Sequence, residues 1–317
     1  MANAEEIALG RAAARPWHIP RAGWWQVLKR VWAEQTSDHI SLIAAGCAFY
    51  GLLALFPALA AAIAIWGLVA DPGQIVRQID GLTSTLPPEA AALIHEQASA
   101  AASSDGGALL TALLSILVGV YSASKGIKSL TEGLNIAYDQ GEGRPFLKKT
   151  ILNLGLTFGA VIGIVMAVIL IVVVPVTLAF VGLPAEAEWF GRILRWVVLV
   201  GGALLAFGVL YRVGPNRASA SWHWVSPGSL LAVVLWVGGS AAFSVYVARM
   251  ASYDSTYGAL GSVVVLLMWL WLTAFSILLG AELNCELERQ TRADTTTGPD
   301  RPMGERGAYA ADTVAEA

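Results

Sequence analysis

Between Ile40 and Ala281 the chain is dominated by six stretches that contain no Asp, Glu, Lys or Arg: Ile40 to Ala70, Gly106 to Ser124, Thr150 to Ala185, Trp196 to Tyr211, Ala218 to Ala248 and Ser255 to Ala281. An α-helix rises about 1.5 Å per residue, so roughly 20 apolar residues cross the ~30 Å of a bilayer's hydrocarbon. The pattern therefore predicts an all-α, polytopic membrane protein with about six transmembrane helices, at about 40–70, 106–124, 150–175, 193–211, 225–248 and 258–281. The fourth stretch is the shortest, and it reaches spanning length if Ile193 and Leu194 join it while Arg192 and Arg195 extend their side chains toward the headgroups. The third is longer than an ordinary bilayer requires. Pro175 removes a backbone donor within it and is the expected place for a break.

Four segments do not read as spans. Residues 22–36 place Trp24, Trp25, Leu28, Val31 and Trp32 on one helical stripe away from Lys29 and Arg30, which predicts an amphipathic helix on the inner membrane surface. Residues 71–105 hold Pro72, Pro87 and Pro88 and predict a short external helical segment. In residues 125–139, Ile127, Leu130, Leu134 and Tyr138 repeat at helical spacing, as an inner-surface helix or a continuation of the second span. The two ends, 1–21 and 291–317, are expected to be disordered tails flanking a membrane domain at 22–290; the C-terminal one has almost no large apolar residues.

Composition supports the membrane reading: 56% of residues are hydrophobic, 14% are charged, and mean hydropathy is +0.62, more apolar surface than one soluble core of this length encloses. A net charge of −3 supplies no global basic field, so nucleic acid is not an expected partner. Orientation comes from where the cations lie. Arg11, Arg15, Arg21, Lys29 and Arg30 precede the first span; Lys125, Lys128, Arg144, Lys148 and Lys149 lie between the second and third; Arg212 and Arg217 lie between the fourth and fifth; and Arg289, Arg292, Arg301 and Arg306 follow the last. Arg77, Arg192, Arg195 and Arg249 fall on the other side, and this bias places both termini in the cytoplasm. Tryptophans mark two belts, Trp24, Trp25, Trp32, Trp222 and Trp224 at the inner boundary and Trp66, Trp189 and Trp196 at the outer. Cys47 and Cys285 lie in or beside apolar stretches and read as buried free thiols, and no removable signal peptide is visible.

Four blocks in order resemble the YihY/BrkB family of bacterial inner-membrane proteins: AAGCAFYGLLALFP from Ala44, YSASKGIKSLTEGLNIAYDQGEGRPFLKK from Tyr121, YRVGPN from Tyr211 followed by Pro227 and Gly228, and YVARMASYDSTYGALGSVVVLLMWLWLTAFSILLGAELNCELER from Tyr246. Tyr121 stands where Trp is the more usual residue. The resemblance implies an integral membrane protein of about six helices in a family linked to virulence or envelope phenotypes, in which transport has been suspected. It carries over no catalytic residue. The family has also borne a ribonuclease label, which the chain's chemistry does not support. A metal-dependent nuclease needs clustered carboxylates and a basic groove, whereas His18, His39, His95 and His223 are scattered and no HExxH, GxSxG or phosphate-binding glycine loop is present. No enzyme activity, cofactor or metal is expected.

The candidate polar cavity or gate consists of two groups. Lys125, Glu132 and Asn135, at the exit of the second span, are grouped with Glu282 and Asn284 at the end of the last as an inner polar mouth. The plainer reading of Lys128 and Glu132 is a solvated i,i+4 pair. Arg249, Tyr253, Asp254 and Tyr257 cluster at the junction of the fifth and sixth spans, as an outer gate or a structural clamp. Within the spans, Gly155, Gly159 and Gly163 form a stripe expected to pack a neighbouring helix, and mid-span Trp236, Trp269 and Trp271 call for internal acceptors. Pro57, like Pro175, has two readings, a broken helix whose freed carbonyls line a cavity and, favoured by a small margin, a proline that serves packing alone. The leading functional expectation is a transporter or permease of the bacterial inner membrane acting on a small molecule or lipid. The alternatives are a non-transporting envelope scaffold or lipid-handling protein that uses 71–105 as its contact surface, and, behind it, a membrane enzyme acting on lipid. Membrane lipid is the one partner expected in every case; the sequence sets no oligomeric state.

Overall fold

A computed structural model describes residues 4–69, 108–175, 185–249 and 259–315. Regular structure among them is helical: α1 (Ala4–Ala8), a 3-10 turn at Pro16–His18, α2 (Arg21–Ser37), α3 (Ile40–Val69), α4 (Ala108–Ala137), α5 (Phe146–Val168), a π segment at Ile169–Val173, α6 (Ala185–Val213), α7 (Trp222–Arg249), α8 (Ala259–Glu288) and α9 (Tyr309–Asp312). Four segments are by themselves long and apolar enough to cross a membrane: Phe146–Ile171, Trp189–Val213, Trp222–Val247 and Val263–Glu288. A fifth arises if Arg21–Ser37 and Ile40–Leu55, bent by 59°, are counted together. The first two of the six expected spans border on residues outside the description.

The break expected at Pro175 falls at the edge of the described residues, which run to Pro175 itself. A proline clashes with the carbonyl four residues before it and offers no donor, and the helix widens from α to π over Ile169–Val173 just ahead of it. Pro57 breaks nothing, since α3 is continuous from Ile40 to Val69. The ambiguous stretch 125–139 continues the second span as the end of α4. That helix stops in a Schellman arrangement, with Asp139 in the left-handed region at φ 52° and bonds from Asp139 N to Ile136 O and from Gln140 N to Asn135 O. The same left-handed step, His39 at φ 52°, separates α2 from α3.

The chain forms two compact units. Residues of Ala45–Ser129 and Ser240–Trp271 make one of them. There Gly51 and Gly126 lie close together beside Leu270, Cys47 meets Ser129, and the Trp269 indole donates to Ser240 Oγ at 3.1 Å. The other unit comprises Met1–Ala44, Leu130–Gly239 and Leu272–Ala317. Its tightest crossing is α7 on α8 at Gly228 and Gly280: a Cβ on Gly280 would lie 2.6 Å from Gly228 O, and one on Gly228 would strike Gly280 O and the Asn284 amide. Tyr211 seals this crossing by donating to Ile277 O at 2.8 Å, and the Trp236 indole finds its acceptor in Thr273 Oγ1 at 3.1 Å. Both cysteines are buried thiols outside any disulfide.

Several expectations are corrected. The stripe of Gly155, Gly159 and Gly163 packs no helix of this chain among the described residues, for a Cβ at any of the three meets nothing within 4 Å. On α2 the apolar residues divide between two faces. Trp25, Leu28 and Trp32 are exposed, whereas Val31 is buried with Gly23 and Val27, and Arg30 turns inward to Glu286. Trp224 is also core, at 2% exposure, rather than a belt residue. The ends expected to be disordered are packed over the described residues 4–21 and 291–315. Gln290 Nε2 donates to Leu9 O at 2.7 Å, Arg292 N to Arg11 O at 2.8 Å and Thr291 Oγ1 to Ala13 O at 2.7 Å, which ties the two ends together. Low hydrophobicity misled here because these segments are held by backbone hydrogen bonds and buried arginine rather than by apolar burial.

Candidate functional site

The last helix ends in ELNCELE, which puts Glu282, Glu286 and Glu288 within two turns, and all three are buried to 2% exposure or less. A carboxylate removed from water is costly unless it is paired and hydrogen-bonded, so the cations that meet these groups determine what the site can do.

Glu288 is fully matched. Arg217, from the turn between α6 and α7, places both guanidinium nitrogens on its two oxygens at 2.9 and 2.6 Å. Thr295 adds a hydroxyl bond at 2.5 Å, and the guanidinium lies 4.9 Å above the Tyr138 ring. Burial works against the charged Arg217, yet the adjacent Glu288 charge prevails and raises its pKa above the ordinary value. Tyr138 moves upward too, through burial first and the Glu288 charge second.

Glu286 is matched twice, by Arg30 from α2 and by Arg289 at 2.5 Å. Arg289 also faces Glu34 at 3.8 Å and Asp139 at 3.9 Å, and Arg30 donates to Gln290 at 2.7 Å.

Glu282 has no such match. Among the described residues no ion pair joins it to a cation, and its Oε1 meets no donor. Burial raises the pKa of Asp38, at the joint between α2 and α3, and the carboxylates of Asp139 and Glu34 push the same way, with His39 opposing. Asp139 is likewise raised, by burial first, with Arg289 opposing.

A second knot lies at the α4–α5 turn. Asn135 is buried, donates to Glu142 at 3.2 Å and accepts from Asn216 N at 2.7 Å. Arg144 donates to Gly214 O at 2.9 Å and to Pro215 O. The N-terminal segment, the α4–α5 turn, the α6–α7 turn and the C-terminal segment are thus bonded into one polar face of this unit.

The candidates from sequence are therefore distributed as follows. Glu282 and Asn284 are buried in the first cluster, where Asn284 accepts from Gly228 N at 2.8 Å. Asn135 belongs to the second knot, and Glu132 beside it pairs with Lys149 at 3.2 Å. Lys125 lies in the other compact unit, 5.0 Å over the Tyr121 ring. Arg249 ends α7 as an exposed residue, while Tyr253, Asp254 and Tyr257 lie outside the described residues, as does the segment 71–105. Sequence reasoning missed Arg30, Asp38, Asp139, Arg217, Glu286 and Glu288. The available signal was the acidic run after the last charge-free stretch, which needs cations from distant turns if it is to be buried. No group of three or more His, Cys, Asp or Glu that could hold a metal ion occurs among the described residues.

Long apolar helices ending on a hydrogen-bonded polar face define a multi-pass α-helical membrane protein. The family model described as Virulence factor BrkB matches residues 31–304, nearly the whole chain, and the protein belongs to that family. It is similar to the ribonuclease-like protein YfkH of Bacillus subtilis, 29% identical over 269 residues that cover 84% of this chain and 96% of that one. It is also similar to UPF0761 membrane proteins of Alteromonas mediterranea, 27% identical over 79% of this chain and 83% of the other, and of Pseudoalteromonas translucida, 26% identical over 86% and 88%. The ribonuclease name is a historical mislabel; the family is described by virulence and membrane location and not by an enzyme class. No solved structure matches the chain.

Proposed function

We propose that the protein is a transporter or permease of the bacterial inner membrane, with both termini in the cytoplasm and six membrane crossings. The observation that carries this reading is Glu282, a buried carboxyl without a cation at the end of a membrane-spanning helix. Ionisable groups in such positions are costly, and they recur where ions, protons or polar solutes pass. The π segment before Pro175 supports it, since interrupted helices free backbone carbonyls to line a path.

The crossing number rests on parity. Both ends and both the α4–α5 and α6–α7 turns share one polar face of their unit, which is the parity that six crossings require. Of the sixteen Lys and Arg residues that the sequence assigns to the cytoplasm, fourteen belong to the unit that carries this face, which makes it the cytoplasmic side in this reading. The test is solute flux in proteoliposomes that hold the full chain, measured across ions, amino acids, sugars and lipid analogues. Flux that is present with the wild type and lost in Glu282→Gln supports the reading; folded protein with no flux across the panel overturns it. In that event a scaffold or lipid-handling role takes its place, for which the open glycine face of α5 offers a contact surface.

A further inference from the structure

We propose that the outer side of α2 and the 3-10 turn before it form a binding surface for anionic phospholipid headgroups of the bilayer, built from Trp17, Trp25 and Trp32 interleaved with Arg15, Arg21 and Lys29.

The chain has no Asp or Glu from Ile7 to Ala33, yet Arg11, Arg15, Arg21, Lys29 and Arg30 all fall in that stretch. The fold divides these cations. Arg30 turns to Glu286 and donates to Gln290 at 2.7 Å, and Arg11 is buried and donates to Arg289 O. Arg15, Arg21 and Lys29 are exposed instead, and no ion pair among the described residues includes them.

The rotation of α2 is set from its inner side. Gly23 lies so close to Leu9 O that a Cβ there would collide with it, Val27 and Val31 are buried, and Arg30 holds the end of α8. The opposite side therefore points outward, and Arg21, Trp25, Leu28, Lys29 and Trp32 recur along it at helical spacing. Trp32 is 76% exposed, which an indole in water does not favour. Trp17 and Arg15, at the 3-10 turn, are exposed as well. Lys29 Nζ lies 5.5 Å from the centroid of the Trp25 ring, so cation and indole share one patch.

Charge and ring chemistry together select the occupant. Indoles settle at the headgroup level of a bilayer, where the ring is apolar and the N–H is wet, and basic side chains beside them attract anionic lipid. A surface of one sign with no acid in it is the complement of such headgroups. The same chemistry recurs in this unit where two membrane-crossing segments begin: Phe146 and Leu147 stand exposed beside Lys148, and Arg212 lies 4.5 Å over the exposed Trp222 ring. α2 is thereby held on two sides, by the acids at the end of α8 and by the leaflet. This surface does not depend on transport, and its test involves no flux.

The experiment places the full chain in nanodiscs of phosphatidylcholine and phosphatidylglycerol, and native mass spectrometry counts the lipids of each kind that stay bound. Each basic residue near an anionic surface is worth about fivefold in binding. The combined variant Arg15→Gln, Arg21→Gln and Lys29→Gln is expected to lower the preference for phosphatidylglycerol by about tenfold or more. Arg15→Lys, Arg21→Lys and Lys29→Arg together should keep it. A spin label at Ala33→Cys, on the exposed side of α2, reports its surroundings in the same nanodiscs, and it carries the test by itself if the triple Gln variant does not accumulate. Wild type lacking the added cysteine is the labelling blank, since Cys47 and Cys285 are buried. The label is expected to meet oxygen more readily than a water-soluble nickel chelate. A lipid preference unchanged by the Gln substitutions, or a label that meets nickel more readily, overturns the proposal. Dipolar broadening between labels overturns it too, because the occupant is then a second copy of the chain.

Discussion

Arg217 and Glu288 face each other with their side chains 1% and 0% exposed, joined by two parallel hydrogen bonds. Such a pair adds little net stability over an apolar pair of the same volume, but each half becomes costly once the other is removed. Arg217→Met is therefore expected to destabilise the protein by about 3–5 kcal/mol. Arg217→Met combined with Glu288→Leu should recover most of that loss. Thermal unfolding in detergent measures both, and equal midpoints for the single and double variants would show that the pair is uncoupled.

The glycines of the spans divide into two classes. Gly228→Ala and Gly280→Ala insert a methyl where α7 and α8 touch backbone to backbone, and both are expected to lose folded protein. Gly159→Ala adds a methyl to open space and replaces glycine with a better helix former, so a neutral or slightly stabilising effect is expected. Monodispersity on size-exclusion chromatography separates the classes.

Arg306 holds the C-terminal segment together by donating to the carbonyls of Arg292, Ala293, Arg301 and Ala311. Arg306→Ala leaves those acceptors without their donor and should open residues 291–315 to protease while the membrane-spanning helices remain folded. Mass spectrometry of the digest identifies the cleavage sites, and a resistant tail would rule out this role for Arg306.

The same segment should release in acid. Burial acts against the charged forms of Asp294 and Asp312, but backbone N–H donors prevail and hold both pKa values below 3.8. Asp312 accepts from Gly304 N at 2.7 Å and from Gly307 N at 3.0 Å, and Asp294 from Arg301 N at 2.9 Å. A depressed carboxyl pKa stabilises the fold above the unfolded value of 3.8 and loses that contribution as pH falls through the lower folded one. Asp38 has the opposite sign, because its raised value favours the folded state at low pH and withdraws that support as pH rises through it. Tail protease resistance measured against pH should fall only on the acid side, and Asp312→Asn should remove most of that dependence.

How much of this was legible in the sequence depends on the range of the interaction. The apolar runs, the indole acceptors and the buried thiols follow from local composition and helical period, since lipid demands long stretches whose backbone groups are satisfied internally. Glu282, Asn284 and Asn135 were recognised as notable because polar groups beside apolar helices stand out in one dimension. Their partners do not. Arg217 lies 71 positions from Glu288 and Arg30 lies 256 from Glu286. The solitary state of Glu282 appears only once every nearby cation has been assigned to another acid.

The sequence by itself determined that this is a helical membrane protein of the BrkB type, because burial in lipid is decided segment by segment. The tertiary structure alone decided which acids are neutralised, which glycines touch and that both tails are packed. Those outcomes depend on distances of a few ångströms between groups far apart in the chain, and the order of residues does not state such distances.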